Sequence, residues 1–144
     1  MTEYPPNGFQ AVIPFLTYDD APGAIAFLCK AFGFEERHRL TMDDGRIGYA
    51  ELAFGGSALM VGSAFPEMDL VSPKSLSGTA SQFVLWVEDV DAHFSQAQEA
   101  GAAVQGEPQD QFHGARAYRA VDPEGHRWMF QQQIRVVDPK TWAD

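Results

Sequence analysis

A single cysteine, Cys29, excludes an intrachain disulfide framework and any zinc ribbon built from one copy of the chain. Cations are scarce too: ten Lys and Arg against twenty Asp and Glu leave a net charge of −10. That balance argues against nucleic acid and anionic membrane surfaces as partners and suits a cationic or neutral ligand better. None of the four histidines, His38, His93, His113 and His126, lies at i, i+4 within a helix with another metal ligand. No apolar run approaches the length of a membrane span, and no charged region followed by an apolar run starts the chain, so the expected location is the cytoplasm. What is present is an ordinary globular composition, 45% apolar and 21% charged. The length suits one domain with a sizeable core.

The chain is written twice. At an offset of 69, Phe15-Leu16-Thr17-Tyr18-Asp19-Asp20 falls on Val84-Leu85-Trp86-Val87-Glu88-Asp89. Asp20 heads an apolar, Ala-rich segment ending near Gly33, and Asp89 heads another ending near Gly101, one residue short of register. Tyr49 falls on Tyr118 and Met60 on Met129. Identity is weak, but the order of strand, Asp cap, helix, glycine and strands is shared, the mark of an internal repeat.

In order, Met1 to Phe9 is an extended leader, and Ala11 to Tyr18 reads as a strand buried on both faces. Asp19 or Asp20 caps a helix whose Ile25, Leu28, Cys29 and Phe32 form one apolar stripe, and Gly33 ends it. Glu35 to Thr41 is a strand, Asp43-Asp44-Gly45 a hairpin turn, Arg46 to Phe54 the return, and Ser57 to Val61 the last strand of module one. Gly62 to Ala80 is an irregular linker. Module two opens with a strand at Ser81 to Val87, followed by a helix capped by Asp89 with Phe94 and Ala97 on its inner side. Val104 begins another strand, Gln109 to Gly114 is a loop, and Ala115 to Val121 is a strand. Asp122-Pro123-Glu124-Gly125 then turns into the final strand, proline fixing φ and glycine offering a positive one. The expected fold is α+β: two βαβββ modules, 11–61 and 81–134, joined by the linker 62–80 and followed by a tail, 135–144.

Two such modules, with Asp122-Pro123-Glu124-Gly125-His126-Arg127-Trp128 near the end, resemble the vicinal oxygen chelate superfamily, which holds glyoxalases, bleomycin resistance proteins and dioxygenases. Within it the chain looks most like the PhnB-like group. The likeness lies in Pro14-Phe15-Leu16 followed by Asp19-Asp20-Ala21, in Ala50-Glu51-Leu52, and in Phe112, Gly114 and Arg116 before the Asp-Pro turn. It spans about Val12 to Gln131, with departures at Ala115 and Glu124. It implies a mixed-sheet half-barrel from each module, a cavity, and a homodimer. The leader before Ala11 is expected to contribute to that dimer.

The superfamily's metalloenzymes carry four metal ligands on the first and last strands of each module. Carried over, those positions are Ile13, Met60, Gln82 and Met129, of which only Gln82 suits a hard divalent ion. No metal and no cofactor is therefore expected. Met60 and Met129 read either as an adaptable apolar lining or as ordinary core methionines.

If Met60 and Gln82 face the cavity, strand alternation adds Ile13, Phe15, Ala58, Val84, Trp86 and Arg127. The third strand of module one offers Tyr49 and Glu51, and its counterpart offers Arg116 and Tyr118. Glu51 and Arg116 read equally well as a buried ion pair joining the modules. His113, beside Phe112 in a loop over the cavity mouth, is the histidine to test for ligand contact. His93 is expected to be solvated, and His126 to make a structural hydrogen bond. The candidate ligand-binding set is thus Phe15, Tyr49, Glu51, Met60, Gln82, Trp86, His113, Arg116, Tyr118 and Met129, apolar and aromatic with a few polar groups.

Three functions fit. The first, which this reading favours, is a metal-free binding protein that sequesters a hydrophobic or cationic aromatic compound, as the resemblance to bleomycin resistance proteins implies. The second is an enzyme of the same superfamily (a lyase, isomerase or dioxygenase) with an atypical or absent metal, using Glu51 or His113 as acid–base. No nucleophile–base spacing supports it. The third is an accessory module whose dimer matters more than its pocket, distinguished by a cavity filled with its own side chains.

Overall fold

The computed structural model describes residues 2–142. It divides into two compact units, Met1–Ser77 and Gly78–Asp144. Unit one is built from β1 (Phe15–Tyr18), α1 (Ala21–Phe32), β2 (Glu35–Thr41), β3 (Ile47–Phe54) and β4 (Ser57–Ser63). Unit two comprises β5 (Gln82–Trp86), α2 (Val90–Glu99), β6 (Ala103–Val104), β7 (Gln109–Asp110), β8 (Ala115–Val121) and β9 (Arg127–Gln133).

The two sheets share one topology. In unit one the order is β1-β4-β3-β2, with β1 parallel to β4 and the other neighbours antiparallel. In unit two it is β5-β9-β8-β6, again with a parallel first pair, and β7 also pairs with β8. The expected α+β fold of two βαβββ modules is therefore what the chain adopts, and both sheets are open rather than closed into a barrel. Boundaries differ from expectation. The first strand starts at Phe15 rather than Ala11, β4 runs on to Ser63 rather than ending at Val61, and β7 lies where a loop was expected.

Each helix begins and ends for local reasons. The Asp20 carboxylate accepts the Gly23 N–H at 3.0 Å and caps α1, and a Cβ at position 23 would collide with that carboxylate. Gly33, at φ 85°, closes α1 in the left-handed region. Asp89 caps α2 by accepting the Ala92 N–H at 3.1 Å. The stripe on α1 buries Ile25, Leu28 and Phe32 beside Leu16, Leu52 and Val61; Cys29 stays half-buried. Burial pushes its thiol pKa up.

The turn at Asp122 is held by its own carboxylate. One oxygen accepts the Glu124 and His126 N–H groups at 3.0 and 3.1 Å, and the other accepts the Trp128 indole N–H at 3.1 Å. Gly125 sits at φ 100°, where a side chain would strain the turn. The motif thus fastens the β8–β9 hairpin to Trp128, which is buried against Phe83 with ring centroids 5.2 Å apart.

No helix among the described residues is long and apolar enough to cross a membrane.

Candidate functional site

Register decides which side chains share a face, because cross-strand partners point to the same side. In unit one Phe15 pairs with Met60, Met60 with Glu51, and Glu51 with His38. These four residues form a row across the sheet on the face away from α1. Tyr49 lies on the same face opposite Leu40, its ring 5.9 Å from that of His38. Gly62 makes room for the row: a Cβ there would come within 2.8 Å of the Phe15 ring. Phe15 remains 51% exposed and Leu40 50%, so this face is apolar and open. Among the described residues Glu51 has no ion-pair partner.

In unit two the corresponding face carries Gln82, Val84 and Trp86 on β5, all exposed, with Trp86 at 61%. Trp86 pairs with Gln131, Gln131 with Ala117, and Ala117 with Gln109. One step along, Val84 pairs with Met129 and Met129 with Arg119. The residues that β8 presents here are therefore Ala117 and Arg119.

Arg116 and Tyr118 were expected on this face and lie on the other one. The Tyr118 ring is buried under α2, stacked on Phe130 at 5.4 Å, edge-on to Phe94 at 5.2 Å, and hydrogen-bonded through its hydroxyl to His93 Nδ1 at 2.6 Å. Burial raises its phenol pKa far above the ordinary value. Arg116 binds Asp91 of α2 at 3.1 Å and Asp110 of β7 at 3.0 Å, so its carboxylate partners lie within unit two in place of the expected Glu51. The reason is a shift of one residue. Met60 pairs with Glu51 but Met129 pairs with Arg119, so the structural counterpart of Glu51 falls one residue short of the sequence offset. A slip of one residue inverts every side chain of a strand.

The histidines also sort themselves. His93, expected in solvent, is half-buried against Phe130, with ring centroids 4.2 Å apart. His126 is buried beside Phe83, and its N–H anchors the Asp122 turn. His113 forms a three-ring cluster with Phe112 and Trp142, centroids 5.3 to 6.0 Å apart, and lines a groove of about 270 Å³ in unit two. That groove is bounded by Gln105, Glu107, Gln109, Gln111, Ala117, Arg119 and Met129, and Tyr118 also contributes to its lining although its ring is buried under α2. Its polar wall was not anticipated, although its residues alternate at positions 105, 107, 109, 111 and 113.

Of the positions to which the resemblance carries metal ligands, unit one holds Ile13 and Met60, a hydrocarbon and a thioether, and unit two holds Gln82 and Met129, an amide and a thioether. Neither pair suits a hard divalent ion. Among the described residues no group of three or more His, Cys, Asp or Glu could hold a metal elsewhere.

Residues 10–130 match the family model described as the Glyoxalase/Bleomycin resistance protein/Dioxygenase superfamily. An uncharacterized protein of Mycobacterium bovis is 39% identical over 135 residues, covering 92% of this chain and 89% of that one. Among solved structures, TioX from Micromonospora sp. ML1 is 32% identical with a TM-score of 0.68, over 86% of this chain and 98% of its own. TnmS3, an antibiotic binding protein from Streptomyces sp. CB03234, is 25% identical with a TM-score of 0.63, over 86% and 98%.

Proposed function

We propose that this chain, which belongs to the Glyoxalase/Bleomycin resistance protein/Dioxygenase superfamily, works as a small-molecule-binding protein that holds an aromatic compound without the divalent ion of the superfamily's metalloenzymes. The observation that carries this reading is the pairing of two features on the same faces. Thioethers and an amide stand at the metal positions, and beside them Phe15 and Trp86 present open aromatic surface. Thioethers adapt their shape to a ligand and make favourable contacts with aromatic rings. Rings stack on planar or cationic molecules. The Glu51 carboxylate, without an ion-pair partner among the described residues, and the net charge of −10 favour a cationic aromatic. TnmS3, named an antibiotic binding protein, supports the same class of activity, and the motifs around Phe15, Glu51 and Arg116 support placement in the PhnB-like group.

Proflavine, a planar cation, is a suitable probe. Titration should quench tryptophan fluorescence, because Trp86 and Trp142 are exposed while Trp128 is buried. Trp86→Ala should weaken binding by about 10-fold, in keeping with the loss of one stacked ring. Unchanged affinity in both Trp86→Ala and Glu51→Ala would remove these faces as the site.

A further inference from the structure

The polar wall of the unit-two groove has no part in binding a bare aromatic ring. Gln105, Glu107, Gln109, Gln111 and His113 line the groove together, brought there by the bend at Gly106 (φ 94°), the short strand β7 and the turn that follows it. Gln105 is tied to β8 by its N–H donating to the Arg119 carbonyl, and Gln109 pairs with Ala117. The stripe is therefore fixed to the same sheet that carries Met129 and Trp86.

Its chemistry is specific. Each glutamine amide offers two donors and an acceptor. Among the described residues the side-chain amides of Gln105 and Gln109 have no hydrogen-bond partner, and Gln111 uses only its NH2, on the Gln109 carbonyl. Arg119, in the same groove, has no carboxylate within ion-pair distance among the described residues, whereas Arg116 on the opposite face has two. Open amides flanked by one guanidinium, Arg119, and one carboxylate, Glu107, match a ligand portion dense in hydroxyls or amides, which donate to Glu107, with a carboxylate that meets Arg119. The row Trp86–Gln131–Ala117–Gln109 spans four strands. At about 4.8 Å per strand spacing it runs on the order of 14 Å, the length of an aromatic ring joined to one sugar-sized group.

We infer that the unit-two face takes an aromatic compound through Trp86 and Met129 and its hydroxyl- or amide-rich, carboxylate-bearing appendage along the stripe from Gln105 to His113, with Arg119 meeting the carboxylate. This inference rests on the proposed reading of Trp86 as the aromatic contact.

Three probes separate the parts: methylumbelliferyl glucuronide, the uncharged methylumbelliferyl glucoside, and free methylumbelliferone, each titrated by calorimetry. The glucuronide should bind tightest and free methylumbelliferone weakest. The double variant Gln109→Ala/Gln111→Ala should weaken both conjugates about 3- to 10-fold per lost hydrogen bond while leaving methylumbelliferone unchanged. Arg119→Gln should reduce the glucuronide to the level of the glucoside. Gln109 and Arg119 are exposed and Gln111 is half-buried, and an unchanged thermal melt confirms that each variant is folded. If methylumbelliferone binds as tightly as its conjugates, or if the glutamine and arginine variants change nothing, the appendage site is overturned while the aromatic reading stands. If neither proflavine nor any of the three binds, both fall.

Discussion

Asp122 shows how one side chain can hold a local structure together. Its carboxylate is 4% exposed for the whole residue and accepts three N–H donors, two from the turn and one from the Trp128 indole. Asp122→Ala would remove the acceptor of these three hydrogen bonds, each worth about 1 kcal/mol. A loss of about 3 kcal/mol in urea unfolding is expected, and a loss under 1 kcal/mol would show that water replaces the carboxylate. The Asp-Pro-Glu-Gly turn was legible in the sequence because Pro123 and Gly125 fix backbone angles by their own chemistry. The indole bond was not, since nothing local says that Trp128 folds back on the turn.

At the scale of elements, α2 is joined to its sheet by polar as well as apolar contacts. His93 bonds Tyr118, Asp91 bonds Arg116, and the Val90 N–H donates to the Gln132 side chain at 3.0 Å. The Tyr118 phenol pKa is raised by burial, so the folded state keeps its proton after the unfolded chain has lost it. This contribution is complete below the ordinary tyrosine pKa, about 10, and declines as pH rises above it. Stability measured by urea should therefore fall above about pH 10, and Tyr118→Phe should flatten that fall while costing about 1 kcal/mol at neutral pH through the lost His93 bond. An equally steep alkaline fall in the variant would point to another group.

The same element shows where sequence reasoning stops. Caps, the α1 stripe and the turns are set by neighbours in the chain, and these were legible. The faces of β1, β4, β5 and β9 followed from alternation. The face of β8 depends on its register with β9, and a one-residue difference between the two hairpins inverted Arg116 and Tyr118. β7 is two polar residues that pair only with the edge of β8, so no hydrophobic period marks it.

At the scale of the whole molecule, family membership supplies a scaffold and not a reaction, because this kind of fold hosts many chemistries. This chain carries Met60 beside the exposed Phe15 in unit one, Met129 on the same sheet as the exposed Trp86 in unit two, and a polar groove in unit two. A homodimer remains our proposal. In the leader, the Gln10 side chain bonds both backbone groups of Ala58, and Arg37 holds the Gly8 carbonyl at 2.7 Å, so these residues are anchored to their own unit. Elution as a monomer at micromolar concentration would count against the dimer.

Native mass spectrometry of protein purified without chelator, before and after addition of proflavine, tests the central claim most directly. The account predicts a proflavine adduct on protein free of divalent ions, unchanged by EDTA. One divalent ion per chain, with the adduct lost when EDTA removes it, would contradict it and return the chain to metal-dependent chemistry.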